Sequence, residues 1–149
     1  MPIPPTDLTQ RPPRSPRVRL GGYVILPRML DKGRAQLAGT VGDYHYNCSL
    51  DQQFTAFTGV DAAELLKQLA LGKSDGEILE WINANAKIQR APSEVAAWSA
   101  YQSRRGPGDV KTHQFFLQTQ VAAAPARTDI ATWFSLLDVD DYASYGGKP

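Results

Sequence analysis

The sequence predicts an all-α protein, an irregular bundle of about six short helices with an extended Pro/Arg-rich N-terminal arm. Three observations predict it. Apolar residues recur at the 3.6-residue helical period in successive windows of the chain. Capping residues with Glu or Gln three positions on stand just ahead of several of those windows. Glycine and proline cluster in the short stretches between them, where helices must stop. With 149 residues, 42% of them hydrophobic and 21% charged, the chain is suited to one domain, residues 1–149, with a core of its own.

Six of the eleven prolines fall in residues 1–17. Proline lacks a backbone donor and fixes φ, so residues 1–20 are expected to be an extended arm. A first helix is predicted from about Tyr23 to Leu37, where Leu26, Leu30, Gly33 and Leu37 share one face, with Gly39 as its stop. Residues 39–48 break the pattern and predict a loop or a short strand-like piece. Ser49 with Gln52 predicts a capping box for a short helix through Phe54 and Phe57. Asp61 with Glu64 predicts another, with Val60 and Leu65 as a hydrophobic staple. Ser74 with Glu77 starts a helix that buries Ile78, Leu79, Ile82 and Ala86. Pro92 fits a first helical position, ahead of a face carrying Val95, Trp98 and Tyr101. Asp109 caps a helix bearing Phe115 and Phe116, which ends by Pro125. Thr128 is expected to cap the last helix, with Ile130, Trp133, Phe134 and Leu137 inward. Residues 138–149, acidic and glycine-rich, read as a loop-like tail.

The net charge of +1 hides an asymmetry: residues 1–36 sum to +5 and the remainder to −4. A charge run of this kind either pairs with acidic groups of its own fold or offers an anion site. No apolar run is long enough to span a membrane. The N-terminus lacks the basic and apolar regions of a secretory signal, and Cys48 is the sole cysteine, so a reducing cytoplasmic setting is expected. The near-neutral total and the lack of a recognition-helix motif argue against duplex nucleic acid as a partner.

Several stretches together carry a family resemblance. They are Leu8-Thr-Gln-Arg-Pro-Pro-Arg-Ser-Pro-Arg-Val-Arg-Leu-Gly-Gly22, Leu26-Pro-Arg28 with Asp31-Lys32, and Tyr44-His-Tyr-Asn-Cys48 with Leu50-Asp51. Gly76-Glu-Ile-Leu79 and Gly146-Gly147 complete the set. From Leu8 to Gly147 the chain resembles the bacterial domain-of-unknown-function 5069 family, with Ser49 standing where a proline is expected. The resemblance implies a small bacterial protein with no assigned reaction, and it supplies no site residues.

Candidate sites therefore rest on chemistry. His45, Cys48 and Asp51, with His113 as a fourth group, have the donor types of a zinc or iron site, but no second cysteine or paired-histidine spacing supports them. Cys48 with His45 or His113 as base is a candidate nucleophile. Against both stands the plainer role of a small buried thiol beside a loop histidine. Arg11, Arg14 and Arg17, three apart on a polyproline-like arm, would point the same way, and with Arg28 they form a candidate anion site. Tyr44 and Tyr46 are candidate ligand-contacting aromatics, whereas Trp98 and Trp133 are assigned to the core. The acidic stretch at Asp138, Asp140 and Asp141 of a partner subunit is an alternative target for the arginines, which leaves a homodimer open. Two functions follow. One is a non-enzymatic binding or regulatory module for a small anion or a protein partner, with no cofactor called for. The other is an enzyme with a metal- or thiol-based site at His45, Cys48 and Asp51.

Overall fold

The computed structural model describes residues 6–149, and within them the fold is all-helical. Seven helices follow one another: α1 (Leu26–Ala38), α2 (Asp51–Thr58), α3 (Ala62–Ala70), α4 (Asp75–Asn85), α5 (Pro92–Arg104), α6 (Val110–Ala123) and α7 (Trp133–Ser144). The described residues contain no strand, only an isolated bridge between Leu20 and Tyr23 where the chain reverses ahead of α1.

Most helix starts have the local causes their sequence suggests. The Asp61 carboxylate accepts from the amides of Ala63 and Glu64. Ser74 and Glu77 form a reciprocal capping box, Asp109 accepts from the Thr112 amide, and Pro92 opens α5. Val60 and Leu65 are both buried in one cluster, as a staple requires.

Four expectations are corrected. α1 begins at Leu26 rather than Tyr23, because Ile25 sits at φ 73°, outside helical space, while its amide donates to the Pro16 carbonyl at 2.9 Å. Leu37 points outward, and so does Tyr101 on α5, where Ser99 and Gln102 are buried in its place. Ser49 caps nothing. α2 starts at Asp51 without a side-chain cap, and the Gln52 amide reaches back to the Asn47 carbonyl instead. The last helix is capped by Thr132, not Thr128, and continues through Ser144, so residues 138–144 are helix rather than tail. Here tertiary contacts prevail over the local signal. Gln120 of α6 donates to the carbonyls of Ala124 and Arg127 and holds that stretch as a turn. Asp141, on the supposed tail, is 6% exposed and faces the core.

The core has two parts. The larger joins α1 to α2, α3, α4 and α5 through Leu26, Leu30, Phe54, Leu65, Ile78 and Val95. The smaller holds Phe116, Ala124, Leu136 and Val139 between α6 and α7. Val24, Ile25 and Phe134 form a further small cluster, and Trp98 packs against both it and the larger one. Gly33 lets α3 come close to α1: a Cβ there would lie 2.6 Å from Leu69 Cδ1 and 3.0 Å from the Tyr46 ring.

Helix α1 is buried from Leu26 to Ala35, charged residues included. Each charge is matched by a different element. Arg28 meets Asp141 of α7 at 2.7 Å, Asp31 meets Arg14 of the N-terminal segment at 2.9 Å, Lys32 meets Asp51 of α2 at 2.8 Å, and Arg34 meets Asp75 of α4 at 2.7 Å. Buried charges are tolerated when paired and further hydrogen-bonded, and these are both.

Candidate functional site

A cavity of about 920 Å³ lies where the two parts of the core meet. The 39–50 loop, with α1 behind it, forms one wall, and the residue after α5, the first half of α6 and one face of α7 form the other. On α7 the lining residues are Trp133, Leu137, Asp140 and Ser144, spaced i, i+4, i+7 and i+11 and so on one helical face. This is a continuous stripe, apolar at one end and polar at the other.

The loop contributes Asp43, Tyr44, His45 and Cys48. The Tyr44 hydroxyl donates to Asp141 Oδ1 at 2.8 Å, and the Arg28 guanidinium lies 5.5 Å from the Tyr44 ring centroid. Burial first, and then the hydrogen bond to anionic Asp141, push the Tyr44 phenol well above its ordinary value, so it stays a donor. Burial and the Asp141 charge also raise the Asp140 carboxyl, against the opposing pull of Arg28.

Cys48 Sγ accepts from Lys32 Nζ at 3.2 Å, and the same ammonium is held by Asp51. The thiol's polar neighbour is thus a lysine; among the described residues, neither histidine makes a hydrogen bond to it. His45 lines the same cavity, whereas His113 is exposed on α6 and takes no part in the wall. The set His45, Cys48, Asp51 and His113 is therefore dispersed. Asp51 is fully buried beneath the cavity, its Oδ2 taken by Lys32 and by the Asn47 amide. Among the described residues no group of three His, Cys, Asp or Glu is placed to share a metal ion.

The arginine site is also rearranged. Arg14 binds Asp31 and Asp75, Arg17 binds Asp138 at 3.0 Å, and Arg28 grips Asp141 through both guanidinium nitrogens. Arg11 is exposed. The N-terminal segment turns twice, at Asp7–Arg11 and Ser15–Val18, so the three arm arginines do not share a side. Asp138 and Asp141 thus receive arginines of their own chain, and their charge is matched within it. The tyrosine pair is split as well. Tyr44 lines the cavity, while Tyr46 packs against the main core with its hydroxyl on the Ala62 carbonyl at 2.6 Å.

Most of the lining was missed by reading the sequence, Arg105, just past α5, and Phe115, 60% exposed beside Trp133, among it. Trp133 itself, assigned to the core, lines the cavity as well as touching Phe116. The Arg105 carbonyl accepts from the Trp133 amide at 3.0 Å, which holds the Arg105 backbone beside the start of α7. Gly106 permits this approach, since a Cβ there would come within 2.7 Å of the Ala131 carbonyl oxygen.

A family model described as Domain of unknown function (DUF5069) matches residues 10–143. The chain belongs to the DUF5069 family. The match runs from the N-terminal segment through most of α7, so most of the cavity lining lies within it, with Leu8, Thr9, Ser144 and Tyr145 just outside. No curated protein matches the chain. Among the described residues no helix is long and apolar enough to cross a membrane.

Proposed function

We propose that this DUF5069 protein is a binding module for a small amphipathic molecule, held between the 39–50 loop and α7. The observation that carries the reading is the cavity's size and mixed wall. At about 920 Å³ it falls within the range of roughly 300–1,000 Å³ usual for ligand sites. Leu50, Phe115, Trp133 and Leu137 supply apolar surface, and Tyr44, His45, Cys48 and Arg105 supply a few polar groups to orient a guest. An apolar wall with a few fixed polar groups is the usual make-up of a small-molecule site.

Leu137 stands mid-way along the α7 stripe and is only partly buried. Replacing it by tryptophan fills the cavity without touching an ion pair. The wild-type protein, purified untagged and examined by native mass spectrometry, is expected to carry a small-molecule adduct. The Leu137→Trp variant is expected to lose that adduct while keeping its helical circular dichroism. Bare protein in both preparations, with no stabilisation of either by a library of amphipathic metabolites, would overturn the reading.

A further inference from the structure

We infer that the cavity selects a guest bearing a single oxyanion at one end of an apolar body, and that Arg105 is the residue that takes this charge; the inference rests on the binding reading above. The starting point is an accounting of cations. Arg28, Lys32 and Arg105 line the cavity. Arg28 is neutralised by Asp141 and Lys32 by Asp51, each at 2.8 Å or less. Among the described residues Arg105 has no carboxylate within ion-pair distance, and its Nε is buried without any hydrogen-bond partner. A cation left without a carboxylate beside apolar surface is costly, and a guest of opposite charge offsets that cost. The Nε has no accessible surface of its own, so a guest meets the guanidinium at its Nη groups, where a carboxylate or sulfonate can accept from both together.

The surroundings define the rest of the guest. Arg105 is tied through its carbonyl to Trp133, whose ring lies 6.4 Å from that of Phe115. An apolar body extending from the oxyanion therefore meets aromatic surface, then Leu137. The cavity's own carboxylates are Asp43 and Asp140. Asp140 lies seven residues along α7 from Trp133, about 10 Å at 1.5 Å rise per residue. A second negative charge on the guest would face these acids, so polyanions such as nucleotides are disfavoured and a monoanion is preferred.

Two dyes that share an aromatic body separate the body from the charge: anilinonaphthalene sulfonate and its uncharged parent, phenylnaphthylamine. Fluorescence titration of wild-type protein is expected to show the sulfonate binding about tenfold tighter or more, the scale of hydrogen bonds to a charged group. Arg105→Gln should erase that preference and leave the uncharged dye's affinity unchanged. Its fold should persist, because Trp133 is held by the Arg105 carbonyl and not by the side chain. Arg105→Lys, which keeps the charge but loses the fork, should retain part of the preference. A preference that survives Arg105→Gln would overturn the assignment of Arg105. Equal wild-type affinity for both dyes would overturn the charge selection and leave the binding reading intact. No binding of either dye would overturn both.

Discussion

Lys32 and Asp51 form the most deeply buried ion pair of α1, with side chains 3% and 0% exposed. Only one carboxylate oxygen is used: Asp51 Oδ1 has no donor among the described residues. Removing one partner strands a charge inside the protein, at a cost of about 3–5 kcal/mol, whereas replacing both by apolar groups is often neutral or stabilising. Lys32→Met is therefore expected to cost about that much in urea unfolding, and adding Asp51→Leu to recover most of it. A double variant as unstable as the single one would show that the pair is needed for more than mutual neutralisation. Asp75 behaves differently because it is shared by Arg14 and Arg34. Burial pushes its carboxyl up, but the hydrogen bonds and charges of the two guanidiniums outweigh it and hold the group below its ordinary value. A carboxyl depressed in the native state stabilises the fold fully above its unfolded value, about pH 4, and loses that effect as pH falls through the native value. Asp75→Asn should thus lower the melting temperature at pH 7, and the gap from wild type should close in acid. A gap constant down to pH 2 would mean that Asp75 contributes through shape and not through charge.

At the level of helices, the connection after α5 does the most to shape the cavity. Gly106 lies against the Ala131 carbonyl, and that contact keeps Arg105 beside Trp133. Gly106→Ala must push a backbone oxygen away, an overpacking cost of about 1–3 kcal/mol. The expected result is lower stability together with weaker ligand binding, read by thermal denaturation and dye titration. Unchanged binding at reduced stability would show that the connection supports the fold alone. The helices themselves were legible where their start is a local event. Asp61, Ser74, Pro92 and Asp109 each satisfy or remove amides within one turn, so neighbouring residues suffice to announce them. Ser49 and Thr128 carry the same chemistry and fail, because Gln52 and Gln120 form competing bonds to backbone several residues away. The end of α7 was hidden for a related reason. Asp138 and Asp141 read as tail when taken alone, and become helical surface once Arg17 and Arg28 are brought to them.

Across the whole molecule, the loop that carries Tyr44, His45 and Cys48 stood out in the sequence and does line the cavity. The opposite wall did not stand out. Trp133 and Leu137 share a helical face, but Arg105 and Phe115 come from other parts of the chain, and only the docking of α7 on α5 and α6 sets the four side by side. The charge asymmetry was visible, but not its resolution. Five of the seven basic residues in positions 1–36 are paired within the chain, Arg17 and Arg28 with acids of α7, and Arg14, Lys32 and Arg34 with acids of α1, α2 and α4. The basic N-terminal part thus serves chiefly to hold helices together. Its pairings also carry a consequence for biosynthesis. As the chain leaves the ribosome, the carboxylate that neutralises Arg28 is made 113 residues after it. Until Asp141 emerges, α1 has no counter-charge for Arg28 and closing the bundle around it is opposed. A chain cut short before α7 is therefore expected to leave Arg28 without its carboxylate and to keep α1 from being enclosed.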